Sequence, residues 1–198
     1  MRHAGLSVET IMKSLALRGT CLAVFGALTV GLGAAFGLDL DHVALLGVAL
    51  GGVVGFLPDR ALSWRIGGFV AGFAVAWAAY AMRASILPDT SSGRAVAIFG
   101  VLMVLVALTL VTRANLPIWS LLVGSAAMAG AYEQTYTASP TLFLTESPVA
   151  ATTVLLAAAF GVIGSIVISG DKSTERQSVL GPRMYAGAVA VSGKKSVA

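Results

Sequence analysis

AVAIFGVLMVLVALTLVT (residues 95–112) carries no charge and no proline, and it is bracketed by Arg94 and Arg113. A run of about 18 apolar residues is enough to take an α-helix through the hydrocarbon of a bilayer. Lipid offers no partner to a backbone N–H or C=O, so such a run takes the helical form, whose hydrogen bonds are internal. The same character recurs in GTCLAVFGALTVGLGAAFGL (19–38), in IGGFVAGFAVAWAAYAMRASIL (66–87) with Arg83 near its end, and in VAATTVLLAAAFGVIGSIVIS (149–169). Two weaker spans fill the gaps. Residues 43–57 are short, and 116–132 are rich in small side chains. The reading is all-α: a polytopic integral membrane helical bundle of six transmembrane helices over residues 19–169. A cytoplasmic N-terminus (1–18) precedes it and a flexible cytoplasmic tail (170–198) follows.

Composition agrees. Of 198 residues, 57% are hydrophobic and 11% charged, against about 25% charged in an ordinary soluble domain. The mean hydropathy is +0.89. Ten-residue alternating segments, the mark of an outer-membrane barrel, do not occur. The first apolar run is too long for the core of a signal peptide and is read as a retained span. The prolines at 58, 88, 117, 140, 148 and 182 are placed in connections or in the first turn of a span, where a missing N–H costs little.

Lysine and arginine set the orientation. With the N-terminus inside, Arg2, Lys13, Arg18, Arg60, Arg65, Arg113, Lys172, Arg176, Arg183, Lys194 and Lys195 are cytoplasmic, and only Arg83 and Arg94 are outside. That bias predicts both termini in the cytoplasm and a multi-pass protein of the plasma (inner) membrane. Arg18 and Arg65 are expected to anchor spans one and three at the inner surface. The basic pI of about 9.6 then reflects loop anchors, and no nucleic-acid partner is implied. Val8, Ile11, Met12 and Leu15 follow helical spacing, so the segment before span one is either a short amphipathic helix in the inner interface or disordered. The lone Cys21 excludes an intrachain disulfide and is read as a small buried side chain.

Gly47, Gly51 and Gly55 repeat every four residues on span two, Gly68 and Gly72 on span three, Gly33 and Gly37 on span one. Small residues at this spacing let two backbones approach closely where lipid supplies no hydrophobic drive. The stripes predict that spans one to three pack together with Gly51 near the centre; a homodimer face or a ligand cleft is the other use of such a stripe.

No ionisable residue falls at mid-span, which argues against proton relays and buried ion sites. Thr29, Thr109, Ser120, Ser125, Thr152, Thr153 and Ser165 are the polar groups at depth, expected to bond to backbone. Asp39, Asp41, His42 and Glu133 gather near the outer rim. They read either as a solvated turn or as a polar site for a divalent metal or a pH response, though their spacing follows no ligand pattern. Trp77, Tyr80, Trp119 and Tyr132 fit an aromatic belt at the membrane surfaces. No Walker A loop, paired-cysteine metal motif, HExxH or GxSxG occurs. No catalytic residues, metal or cofactor are therefore expected, and no enzyme.

Ala16-Leu17-Arg18 ahead of span one, and Arg65-Ile66-Gly67-Gly68-Phe69-Val70-Ala71-Gly72 at the start of span three, resemble the opening of the fusaric-acid-resistance-like, or aromatic acid exporter, membrane module. The resemblance implies a six-helix, N-in efflux unit that pairs with a second copy or another membrane protein. It departs from the family in lacking a tryptophan early in span two, where Val43-Ala44 stand, and in lacking a cytoplasmic domain and a second six-helix half. The expected function is a transporter or efflux-type module for a small solute, in the lipid bilayer and as an oligomer. The competing expectation is a non-transporting subunit or scaffold of a larger membrane complex.

Overall fold

Nothing within the charge-free runs stops a helix, and six α-helices form among the described residues. The computed structural model describes residues 2–35, 37, 40, 42–86 and 90–192, with side chains for most residues between Met12 and Ile168. The helices are α1 (Arg2–Ala35), α2 (Ala44–Phe56), α3 (Leu62–Ser85), α4 (Ser91–Val111), α5 (Ile118–Ala138) and α6 (Phe143–Ser192), with a single 3₁₀ turn at Pro140–Leu142 before α6. No strand occurs among the described residues.

Among the described residues, three helical segments are long and apolar enough to cross a membrane: Leu62–Ser85, Ser91–Val111 and Pro140–Ile168. Six were expected. Gly19–Ala35 and Ala44–Phe56 are apolar but shorter. At 1.5 Å per residue α2 measures only about 20 Å, against a hydrocarbon core of about 30 Å. α5 is long enough, but its last turns (Glu133 to Thr137) are polar.

α1 is one continuous helix that joins the segment ahead of span one to the apolar run. α6 runs on through the stretch expected to be a flexible tail, as far as Ser192; residues 193–198 lie outside the described residues. A helix already formed at Ser169 needs no new nucleation, so modest propensity sustains it. Pro148 and Pro182 therefore fall inside α6 and not in connections.

The glycine stripes do mediate close packing, but with other partners than the sequence suggests. α2 lies on α6. A Cβ at Gly47 would fall 2.4 Å from the Ala157 side chain, one at Gly51 1.9 Å from the Ala158 carbonyl oxygen, and one at Gly55 on Ser165. The arrangement is reciprocal, since a Cβ at Gly161 would fall 2.2 Å from the Val48 carbonyl oxygen. α3 lies on α5 in the same way. Gly68 faces Ser120, a Cβ at Gly72 would fall 1.9 Å from the Leu121 carbonyl oxygen, and one at Gly124 1.9 Å from that of Phe69. Residue numbers rise together across both contacts, so each pair is parallel. Spacing reveals which face of a helix is small. It does not reveal which other helix offers the matching face, here Ala157, Ala158 and Gly161 on α6 and Ser120 and Gly124 on α5. A Cβ at Gly33 would meet the Leu40 side chain at 2.9 Å, and Gly37 serves the turn after α1 with φ +68.

Arg65, expected as an inner-surface anchor, is buried among its neighbouring helices. Its Nη1 donates to the carbonyls of Val54 (2.7 Å), Gly55 (3.0 Å) and Leu57. These are carbonyls that the last turn of α2 leaves without a helical partner, at the negative end of its dipole. Ser120 Oγ donates to the Arg65 carbonyl, so one residue ties together α2, α3 and α5. The Arg18 side chain lies outside those described.

The core between the two pairs contains Leu40, Val54, Phe69, Phe73, Met128 and Val154. Trp77 Nε1 donates to Ser147 Oγ at 3.0 Å, joining α3 to α6. Trp119 Nε1 donates to Asp59 Oδ2 at 2.6 Å, joining α5 to the α2–α3 connection. α4 stands apart at the side of α3 and α5, burying only Gly93, Ala97 and Leu105.

Candidate functional site

The α3–α5 pair changes character along its length. Glycine sets the contact at Gly72 and Gly124, and larger residues take over beyond it. Tyr80 from α3 meets Tyr132 and Tyr136 from α5 with ring centroids 5.4 and 5.3 Å apart, and Phe143 at the start of α6 closes the group 6.0 Å from Tyr132. The edge-to-face geometry of Tyr80 on Tyr132 is one that aromatic quadrupoles favour. Tyr80 and Tyr132 are thus buried and do not belong to a surface aromatic belt. The Tyr132 hydroxyl is buried without a hydrogen-bond partner.

Arg83, one turn beyond Tyr80, lies over this group. Its guanidinium carbon is 4.4 Å from the centre of the Tyr136 ring and 5.3 Å from that of Tyr80. Cations gain electrostatically from aromatic faces at such distances. Arg83 Nη1 also pairs with Glu133 Oε2 at 3.1 Å, and Tyr80 Oη donates to the same carboxylate oxygen. The Arg83 side chain is 10% exposed and that of Glu133 43%. An arginine is thereby held rigidly at one end of the α3–α5 pair by two rings and a carboxylate.

This cluster closes one end of a cavity of about 570 Å³ between α3, α4 and α5. Its charged end is formed by Tyr80, Arg83, Glu133 and, from the first turns of α4, Arg94. Its body is apolar, lined by residues such as Ala76, Ala97, Ile98, Val101, Leu102 and Leu122, with Ser125 the one hydroxyl at depth. The Ser125 hydroxyl is spent on the Leu122 carbonyl at 2.9 Å. A second, smaller cavity of about 240 Å³ between α2, α3 and α6 is wholly apolar, lined by Val54, Phe69 and Leu155 among others.

Of the outer-rim residues singled out from sequence, Asp39 and Asp41 lie outside the described residues. His42 is exposed in the turn before α2. Glu133 is engaged by Tyr80 and Arg83. Among the described residues, no three of His, Cys, Asp and Glu come together as a metal site would require. The seven hydroxyls expected at depth bond to backbone, and Thr29, Ser120 and Ser165 among them are buried. Thr29, Thr109, Ser125, Thr152, Thr153 and Ser165 donate within their own helices at 2.6 to 3.1 Å, and Ser120 donates across to Arg65. Thr29 does not reach the cavity.

Sequence reasoning treated Arg83 and Arg94 as loop charges and so missed the site. A signal was present: Tyr80 and Arg83 are three apart on one helix, Glu133 and Tyr136 three apart on another, with complementary charges at corresponding ends.

No protein-family model matches this chain, and neither a curated protein nor a solved structure matches it.

Proposed function

We propose that the chain is a small polytopic membrane protein of the transporter or efflux type, with α3, α4 and α5 forming the binding site for a small solute. The observation that carries this reading is the cavity of about 570 Å³ with an apolar body and a fixed arginine at one end. Ligand sites of about 300–1,000 Å³, mostly apolar with a few placed polar groups, are the usual form for small molecules. The membrane setting draws support from three helical segments able to span and from the positive-inside distribution of Lys and Arg. On this reading all six helices cross the plasma (inner) membrane. α2 and the short apolar part of α1 do so by local thinning of the bilayer or by burial against neighbours, and both termini are cytoplasmic.

α4 buries little of itself in the chain, which supports an oligomer in which a second copy or another membrane protein covers part of it. The 65–72 element, the basis of the resemblance to aromatic acid exporter modules, has a packing role here: Arg65 caps α2, and Gly68 and Gly72 seat α5. The test is reconstitution. Proteoliposomes should bind or move small aromatic or amphipathic solutes above the level of empty vesicles, and Val101→Trp, which fills the cavity, should abolish the excess. Equal flux and binding in protein-free vesicles, with a strictly monomeric chain, would overturn the proposal.

A non-transporting subunit or scaffold is the second reading. The close backbone packing of α2 on α6 and of α3 on α5 favours it. Crosslinking in native membranes that recovers one stoichiometric partner, with no solute binding, would decide for it.

A further inference from the structure

The two glycine-seated contacts are one contact made twice. Gly51 on α2 faces the Ala158 carbonyl and Gly161 on α6 faces that of Val48, while Gly124 on α5 faces the Phe69 carbonyl and Gly72 on α3 faces that of Leu121. Moving 73 positions along the chain carries Val48 and Gly51 onto Leu121 and Gly124, and moving 89 carries Phe69 and Gly72 onto Ala158 and Gly161. The neighbouring turn obeys the same shifts, since Gly47 against Ala157 becomes Ser120 against Gly68. α2 thus corresponds to α5 and α3 to α6. The remaining helices correspond too: α1 lies on α2 and α6 through Leu22 and Phe25, and α4 lies beside α5 and α3. The direction is reversed between halves. Arg65 at the start of α3 caps the end of α2, so α2 and α3 are antiparallel; α3 is parallel to α5, and α2 therefore runs opposite to its counterpart. Trp77 late in α3 bonds Ser147 early in α6, which sets that pair antiparallel as well. The chain is an inverted repeat of α1–α3 and α4–α6. Beyond the shared stretch α5 and α6 run about two turns further than α2 and α3, and there Tyr132, Glu133 and Tyr136 are found.

The halves differ in how the outer helix is seated. Gly52 and Ser125 are equivalent positions under the shift of 73. At Gly52 α1 is packed down, with Leu22 Cδ1 2.9 Å from where a Cβ would fall, and Phe25 Cδ2 is equally close at Gly164. At Ser125 α4 stands off, and the cavity of about 570 Å³ occupies the space. One kind of core therefore accepts an outer helix both seated and held away. Inverted halves that hold two different shapes are the usual basis for their exchange in membrane transporters. From this we infer that α1 and α4 are equivalent gates. The cavity at α4 has a twin between α1, α2 and α6, filled here by Leu22 and Phe25, which opens toward the opposite end of the bundle, at Phe56, as α4 packs down on Ser125. The glycine-seated pairs stay fixed through the exchange. α4 buries only Gly93, Ala97 and Leu105, so little packing is broken when it moves. Gly52 and Phe56 stand in the twin where Ser125 and Ala129 line the first cavity, and the twin suits an uncharged apolar or aromatic group. Its ligand is the small solute proposed above, and to that extent the inference rests on the same reading; the exchange of gates does not.

Double electron–electron resonance on the full chain in phosphatidylcholine nanodiscs tests this. In a Cys21→Ser background, one spin-label pair at Met82 and Val96 reads α3 against α4, and another at Val24 and Val167 reads α1 against α6; all four side chains are exposed. Each pair should show two distances. Leu22→Ala, which unseats α1 from Gly52, should shift the α1 pair to its longer distance and the α4 pair to its shorter one. Ser125→Trp, which props α4 away, should do the opposite and leave the α1 pair at its shorter distance alone. The two variants act in different halves, so a fault in the folding of one leaves the other to decide. A single unchanging distance in both pairs, or a shift in one pair to which the other is indifferent, would overturn the inference. Coupled distances with no movement of small aromatic solutes in proteoliposomes would sink the transport reading and leave the gates standing. Solute movement with one fixed distance in each pair would do the reverse.

Discussion

Gly51 and Gly124 occupy positions where a methyl group would have to coincide with a backbone carbonyl of the facing helix, 1.9 Å away in each case. Backbone cannot yield as a flexible side chain can, so Gly51→Ala and Gly124→Ala are expected to destabilise the bundle by about 1–3 kcal/mol. Gly100, on α4, has nothing within 4 Å of such a methyl, and Gly100→Ala should stay within about 0.5 kcal/mol of the parent. Thermal unfolding in one lipid-detergent mixture checks all three, and equal melting temperatures would contradict the packing. Arg65 permits a second prediction at this scale. Removing its side chain strands the carbonyls of Val54, Gly55 and Leu57 in a buried setting, so Arg65→Met should cost about 1.5–3 kcal/mol. All three bonds come from one nitrogen, and Arg65→Lys should recover part of the loss. The same unfolding assay reads both. The arginine itself was plain in the sequence as a boundary charge. Its burial was not, because the carbonyls it caps belong to a helix whose end is brought to it by tertiary packing.

At the scale of elements, the parallel pairs α2 with α6 and α3 with α5 place the ends of the helices. Tyr80 and Arg83 near the end of α3, Arg94 near the start of α4 and Glu133 near the end of α5 meet at one end. The Trp119–Asp59 bond joins the start of α5 to the α2–α3 connection. Reporter fusions at Thr90 and Thr137 should therefore agree with each other and report the outside, and a fusion at Asp59 should report the cytoplasm. Opposite signals from Thr90 and Thr137 would be incompatible with this order of helices. Helix existence was legible because a charge-free apolar run has one stable form in lipid. Helix bounds were less so. α3 begins at Leu62, a turn before its apolar run, and α6 continues beyond its own run to Ser192, since hydrogen bonding propagates past the point where hydropathy falls.

At the scale of the whole molecule, two glycine-seated pairs share one core, with α4 set beside them. The link between the pairs can be tested directly. Trp77 and Ser147 are hydrogen-bonded across α3 and α6. In a Cys21→Ser background, Trp77→Cys with Ser147→Cys should be joined within one chain by a short bifunctional thiol reagent, and a product found only between chains would refute the arrangement. The sequence by itself determined the helical class, the positive-inside bias and the small faces through which helices approach, because composition and spacing along one helix are local properties. It also determined that Thr29, Thr109, Ser125, Thr152, Thr153 and Ser165 bond to backbone, since their partners lie three or four residues away. Only the tertiary structure decided that α2 takes α6 and α3 takes α5, that Arg65 caps a neighbour, and that Tyr80, Arg83, Arg94 and Glu133 close one end of a cavity. These depend on which small face finds which, a choice made by the fit of surfaces distant in the chain.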